Sequence, residues 1–481
     1  MMQRQRPGMD RSTILRIGAL VAPVAVFLGA YSVHHPDELL INPDSPSYLE
    51  FASMRTGGYP FFLAILKPFI RGPADYVGAQ LVLYGLAVLA FGQQLFSTYR
   101  NPLLCFVSMS FLLANWVVNR LHFVIISESV FLSTSALFLA AALAHLRTGS
   151  WRALAAAGAL AGCAMAIRPT GVVFVAALLI LLAAGPNLSR QVWKRMTAAV
   201  VPLVAVLGAE AVYYHAHHPG PRDSLLPIQI LGKAGMVNVN RPQELIDGAP
   251  AESKALQSAV ELELAPVRRL IAGAPSIASR CRLEANYETF VEYRFAPAER
   301  AQLVAVAGDN GLMKAGLARL ERGLPDYLRL TADYFFCLVT LGVTDNEDKA
   351  AFAAYLDVHR PLPFENEVLL GTSASPRFAL LVQAGLLAGA ALLAAASVCL
   401  IATLCLRRSP TLELAMGGLC GVIVHGILLL TALAGVGIAR YTLGLWLPLA
   451  AGLAFSGLWI GSLVGPIKWA QRRQVSEPLS S

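Results

Sequence analysis

The residues of this chain that could do chemistry are few, and they sit in short stretches. The first is Asn42-Pro43-Asp44-Ser45-Pro46-Ser47-Tyr48, followed closely by Arg55-Thr56-Gly57-Gly58-Tyr59-Pro60. Further along come Ile126-Ser127-Glu128-Ser129, Ile167-Arg168-Pro169-Thr170-Gly171 and Ala439-Arg440-Tyr441. A carboxylate such as Asp44 suits a general base acting on a hydroxyl. Asp44 or Ser45 could equally cap a short helix whose first position is Pro46; capping by Ser45 would leave Asp44 available for chemistry. Arg55 is placed to pair with Asp44, to reach a phosphate, or to stay solvated.

Arg168 and Arg440 each precede a helix, one starting at Pro169 and the other at Tyr441. A guanidinium beside the positive end of a helix dipole and its open N–H groups attracts an anion. Its planar fork of donors matches phosphate. Snorkelling at a membrane interface is the alternative for both. Glu128 opens another helix, where the dipole stabilises a carboxylate without any function, so helix stabilisation and a catalytic role both stand. His34, His35, His122, His217 and His218 have no metal-ligand spacing and read as interfacial or surface residues. No zinc motif, P-loop or dinucleotide fingerprint occurs.

The elements that must position these groups are membrane spans. Of 481 residues, 56% are hydrophobic and 14% charged, whereas soluble domains carry about a quarter charged residues. Long apolar runs cover 14–33, 76–95, 131–146 and 378–406. Runs of about 18 or more are read as spans, because lipid cannot satisfy open backbone polar groups. Helical spans are expected near 13–33, 76–97, 102–118, 125–146, 153–166, 169–185, 196–214, 377–406, 412–434 and 441–465. The pair around Arg168-Pro169 could instead be one kinked region.

With the N-terminus in the cytoplasm, Arg4, Arg6, Arg11, Arg100, Arg147, Arg152, Arg190, Lys194, Arg195, Arg407, Arg408, Lys468, Arg472 and Arg473 fall inside. The short outer loops keep only Arg120, Arg168 and Arg440. This obeys the positive-inside bias, and the reverse orientation violates it. Both termini are then cytoplasmic, and the net charge of +8 reflects this bias and not nucleic-acid binding. The first span could alternatively be a signal peptide, given its basic start and the small residues Gly29 and Ala30.

The chain divides into an N-terminal transmembrane module (1–214), an outer domain (215–376) and a C-terminal transmembrane module (377–481). Within the first, the outer loop 34–75 contains an apolar stretch, 59–70, too short to span and suited to lying at the interface. The outer domain is expected to be mainly helical, with apolar periodicity around 252–272, 279–293 and 317–338. Cys281 and Cys337 are the two cysteines in it, and an oxidising compartment would permit them to pair.

Taken in order, these motifs resemble the GT-C superfamily of integral membrane glycosyltransferases. The likeness is nearest to its family-39-like members, the protein mannosyltransferases and lipid A aminoarabinose transferases. The matching residues are Asp44-Ser45 with Tyr48, Arg55 through Tyr59-Pro60, Ser127-Glu128, Arg168-Pro169 and Arg440-Tyr441 with Pro448. The resemblance covers the first 185 or so residues well and the last 45 loosely; 215–376 matches nothing.

The fold class it implies is an all-α polytopic bundle of about ten transmembrane helices with a mainly helical outer domain. The implied activity is transfer of a sugar from a polyprenyl-phosphate donor to a lipid, glycan or protein hydroxyl at the outer face of the plasma (inner) membrane. Asp44 and Glu128 are the candidate catalytic residues. Arg168, Arg440 and Arg55 are the candidate phosphate contacts, and Tyr48, Tyr59 and Tyr441 the candidate substrate-positioning residues. No cofactor is expected, although some superfamily members use a divalent metal, Mg or Mn, near the loop acids.

Two features depart from the family. Many relatives have Asp-Glu where this chain has Asp44-Ser45, and several carry their outer domain at the C-terminus. Both bear on the acceptor. An oligosaccharide polymerase or ligase is the competing enzyme reading, and a lipid-linked sugar flippase or small-solute transporter the competing non-enzyme reading.

Overall fold

The computed structural model describes residues 11–33, 44–185, 192–220, 222–274, 276–277, 279–280, 283–284, 308–340, 376–434 and 442–464. Among them there is no β-strand. Among the described residues seven helices are long and apolar enough to cross a membrane, and they mark the chain as a helical membrane protein. They fall in α1 (Arg11–Val33), α4 (Pro73–Tyr99), α7 (Ser127–Thr148), α10 (Val192–His217), α16 (Pro376–Cys405), α17 (Leu412–Ala434) and α18 (Trp446–Val464).

Three of the expected spans are shorter. They are α5 (Pro102–Leu113), α8 (Trp151–Ile167) and the stretch Pro169–Ala184, a 3-10 turn leading into α9 (Val172–Ala184). With 12 residues, α5 reaches only about 18 Å at 1.5 Å per residue, well under a bilayer core of roughly 30 Å. It stops five residues before the expected end because Asn119 Nδ2 donates to the Leu113 carbonyl at 2.6 Å and Asn115 caps a new turn through Val118 N–H. That turn, α6 (Trp116–Asn119), continues as a 3-10 helix through Phe123. Around Arg168 the chain forms two separate helices, and the region is not one kinked helix. Arg168 is extended (φ −146°, ψ 138°), and α9 folds back against α8. Only glycine fits at position 171, since a Cβ there would collide with the Ala164 carbonyl.

The middle of the bundle is α7, 83% of whose apolar window is buried, against 11% for α10. It packs on α4 and α8, α8 packs on α10, and α16, α17 and α18 form a second cluster joined to α9 and α7 through α17. Three polar residues in the middle of α7 are satisfied within the helix: the hydroxyls of Ser133, Thr134 and Ser135 each donate to the carbonyl four residues earlier. The first helix is part of this packing, lying against α4 and α5 with Phe27 and Tyr84 rings 5.9 Å apart.

Between the two transmembrane modules lie α11 (Leu226–Met236), α12 (Pro242–Asp247), α13 (Ala251–Ala272), α14 (Gly308–Arg322) and α15 (Leu324–Val339). Their core combines apolar residues such as Leu231, Leu264 and Leu312 with buried charge. Glu261 receives both Arg268 (2.6 Å) and Arg319, and these guanidinia also donate to the carbonyls of Gly235, Ala234 and Val237. Cys337 is disulfide-bonded; Cys281 lies outside the described residues. This region rests on the bundle through Tyr327 OH to the Leu433 carbonyl and Thr442 Oγ1 to the Leu338 carbonyl.

Candidate functional site

The first loop folds back on itself through two short helices, α2 (Ser45–Leu49) and α3 (Gly58–Leu66). Asp44 stands at the N-cap position of α2, and Pro46 supplies the favourable early proline. Its carboxylate makes no capping bond. It takes Arg55 Nη2 at 2.7 Å instead, so the alternative of a pure cap gives way to an ion pair. Arg55 is held from three more directions. Its Nε donates to Ser47 Oγ (2.8 Å), its Nη1 to the Tyr48 hydroxyl (3.2 Å), and its Cζ lies 4.3 Å from the Tyr48 ring centre.

Glu128 is in the first turn of α7, with its side chain 4% exposed. Its Oε1 lies 2.9 Å from Arg168 Nη1, and Arg168 is 18% exposed at the turn between α8 and α9. Tyr48 joins the two ion pairs. Ser127 gives its single proton to Glu128 Oε2 at 3.4 Å, so Tyr48, which accepts from Arg55, is the donor to Ser127 Oγ at 3.0 Å. The hydrogen bonds therefore run one way from Arg55 to Glu128, cation to anion. Burial pushes the Tyr48 phenol above its ordinary value, with Arg55 opposing, so Tyr48 stays a neutral relay.

Asp44, Arg55, Tyr48, Glu128 and Arg168 thus form one connected cluster, drawn from the first loop, the start of α7 and the α8–α9 turn. Tyr59 is not at its surface. It is fully buried, donates to Gln80 Oε1 at 2.7 Å, and sets its ring edge-on to Tyr48 at 5.0 Å. It backs Tyr48, so of the expected substrate-positioning tyrosines it stands behind the cluster and not at its face. Burial also raises the Tyr59 phenol well above the usual range. Arg440 and Tyr441 lie outside the described residues; Pro448 is inside α18.

No protein-family model, curated protein or solved structure matches this chain. What can be said of its chemistry comes from the cluster itself.

Among the described histidines, His122, His217 and His218 make packing and hydrogen-bond contacts; His34 and His35 lie outside the described residues. His122 is fully buried and not at the surface; its Nδ1 meets Ser129 Oγ at 2.7 Å and its ring faces Tyr84 at 4.4 Å. Burial holds its pKa down at about 3, so it is neutral. His217 and His218 pack around Phe51. No group of three or more His, Cys, Asp or Glu side chains that could hold a metal ion occurs among the described residues. Asp44 and Glu128 each face a guanidinium, so the donor set fits cationic partners already present, and no step below runs through a metal.

Sequence reasoning missed several supporting residues. Ser47 carries no motif of its own, yet it orients Arg55. Gln80 ties Tyr59 to the carbonyls of His122 and Val124 (3.0 and 3.1 Å), and its signal is an amide set among the apolar residues 76–92. Thr56 donates to the Ile167 carbonyl at 2.9 Å, fastening the first loop beside Arg168. Nothing local to Thr56 announces that bond.

Proposed function

We propose that this protein is a membrane glycosyltransferase that moves a sugar from a polyprenyl-phosphate donor to an acceptor hydroxyl, with inversion. The observation that carries the reading is the joining of Asp44–Arg55 and Glu128–Arg168 through Tyr48 and Ser127. These are two acids and two cations, among them the base and the cations the reaction needs, and they come from sequence positions far apart.

A lipid phosphate leaves as a stabilised anion, so its departure calls for cations rather than for the second, protonating carboxylate of a glycosidase. In the step, the acceptor O–H gives its proton to Asp44 while its oxygen bonds to the anomeric carbon. The carbon–oxygen bond to phosphate breaks, and its electron pair stays on the phosphate oxygen held by Arg168, with Arg440 as a second candidate. The products are the glycosylated acceptor and polyprenyl phosphate, and Asp44 returns its proton to solvent. An oxocarbenium-like transition state, positive at the sugar, is matched by Asp44 and Glu128.

The paired state of the cluster gives the donor a further role. An arriving phosphate competes with the carboxylates for the guanidinia, and as Arg55 turns toward it, Asp44 loses its counter-charge and becomes more basic. In the membrane, residues 34–75 and 215–376 face the extracytoplasmic side and both termini face the cytoplasm; α8, α9 and the combined stretch of α5, α6 and the 3-10 helix through Phe123 complete a bundle of about ten helices. The placing of the charges also argues against a transporter, which keeps ionisable groups near the midplane; Glu128 and Arg168 are at helix ends.

The deciding experiment is incubation of the purified protein in lipid with labelled polyprenyl-phosphate sugars and membrane extract, followed by identification of the product. One sugar transferred by wild type and none by Asp44→Asn supports the reading. Transfer of a whole glycan block supports a polymerase or ligase, and transport without transfer would end the enzyme assignment.

A further inference from the structure

We infer that Glu210, near the end of α10, is a positioning residue that holds the loop bearing Asp44 and Arg55 in its working place. This rests on the transferase reading, which identifies that loop as catalytic. Glu210 is a carboxylate on an apolar helix, with its side chain 10% exposed. Such a charge is costly unless matched, and its partners come from elsewhere in the chain. Its Oε1 accepts the Gly57 N–H at 2.7 Å and Arg222 Nη2 at 2.6 Å. Gly57 is the N-cap of α3 and offers no side chain for capping. Glu210 therefore supplies from another helix the anion that the positive end of α3 favours.

The rest of this end of α10 grips the same loop. The Tyr214 hydroxyl donates to the Ser53 carbonyl at 2.6 Å, and His218 Nε2 to the Phe51 carbonyl at 2.7 Å. The Phe51 ring stacks on Tyr213 at 5.3 Å and meets His218 edge-on at 4.8 Å. Phe51 needs this support, since its φ of 50° puts a bulky residue in the left-handed region. On the opposite side Thr56 is fastened to the Ile167 carbonyl. Residues 51–58 are thus clamped between Glu210 and the turn that carries Arg168, with Arg55 inside the clamped segment. Contacts to phosphate and acceptor depend on sub-ångström placement, so releasing one jaw should slow the reaction although Glu210 touches no reacting atom.

The test uses the full-length protein in lipid nanodiscs as wild type, Glu210→Ala and Glu210→Gln. Backbone hydrogen exchange at 51–58, kcat and donor KM for transfer, and the unfolding temperature are measured together. Glu210→Ala is expected to speed exchange at 51–58 and to lower kcat by about 10- to 100-fold, with the unfolding temperature little changed. Glu210→Gln keeps an acceptor for the Gly57 N–H and is expected to restore most of both. Unchanged exchange at 51–58 in Glu210→Ala would overturn the clamp, as would faster exchange with an unaltered kcat. So would a slowed reaction accompanied by faster exchange throughout the molecule, because that is a general loss of stability. If wild type transfers no sugar, the transferase reading fails by itself, and the exchange data still decide whether Glu210 holds the loop.

Discussion

Glu128 Oε1 lies 2.9 Å from Arg168 Nη1, and this pair joins the start of α7 to the turn between α8 and α9. Both residues sit at helix ends, where an acid at an N-terminus is stabilised by the dipole. Yet neither is spent on its own helix alone. Glu128 is buried and Arg168 keeps some contact with solvent, and Tyr48 and Ser127 connect the pair to Asp44 and Arg55. The two acids and two cations balance, and on the proposed reading the cations are what a donor phosphate would take from the carboxylates.

Asp44→Asn should remove the base and leave the fold. Asn keeps an acceptor for Arg55, so the unfolding temperature is expected to stay close to wild type while kcat falls by about 100- to 10,000-fold, the usual worth of a general base. Full transfer activity in this variant would dismiss Asp44 from the mechanism.

Arg168→Ala should lose both activity and stability, because it leaves the Glu128 carboxylate buried and unmatched. The expected loss is about 2–3 kcal/mol, less than for a wholly buried pair because solvent reaches the guanidinium. Adding Glu128→Gln removes the stranded charge and should recover most of the stability without recovering transfer. Denaturant unfolding of the single and double variants separates the two effects.

Gly58→Ala tests the seat of α3 on α8. A Cβ at position 58 would stand 2.6 Å from the carbonyl carbon and oxygen of Ala166, which are backbone atoms with little room to move. A loss of about 1–3 kcal/mol is expected, as for overpacking, with a fall in transfer rate as the loop shifts. Gly78→Ala, which meets nothing within 4 Å, is the control and should be neutral or stabilising. Thermal unfolding of the two variants side by side makes the comparison.

Glu284 gives a pH dependence outside the proposed catalytic cluster. Burial raises its pKa from 4.5 to about 8, overcoming Arg329, Lys233 and Arg280, while Asp333 adds to the rise. The folded state therefore holds a proton that the unfolded chain has lost between those two values. Its contribution to stability is full below pH 4.5 and declines as pH rises through about 8. Unfolding temperatures measured from pH 5 to 9 should fall across that window, and Glu284→Gln should flatten the slope. An identical slope in the variant would assign the dependence to another group.

The local features of the molecule were legible in the sequence. Apolar run length located the helices, since backbone groups in lipid must be satisfied within the segment. Asp44, Glu128 and Arg168 stood out because charged residues at the ends of apolar runs are costly without a partner. The early end of α5 was not visible, because the side chain that terminates it, Asn119, acts on a carbonyl six residues away. Nor was the full burial of Tyr59, since an aromatic residue in a short apolar helix can face either way.

By itself, then, the sequence determined which segments are helical, which of them suit a bilayer, and which residue types were candidates for chemistry. Only the tertiary structure decided the partners. Whether Asp44 capped α2 or met Arg55 was an even local choice, settled when the loop closed over 11 residues. Tyr48 meets Ser127 across 79 positions, and Gly57 meets Glu210 across 153. Such pairings depend on how α3, α7, α8 and α10 pack, and packing follows from the shapes of whole helix faces and from no single motif.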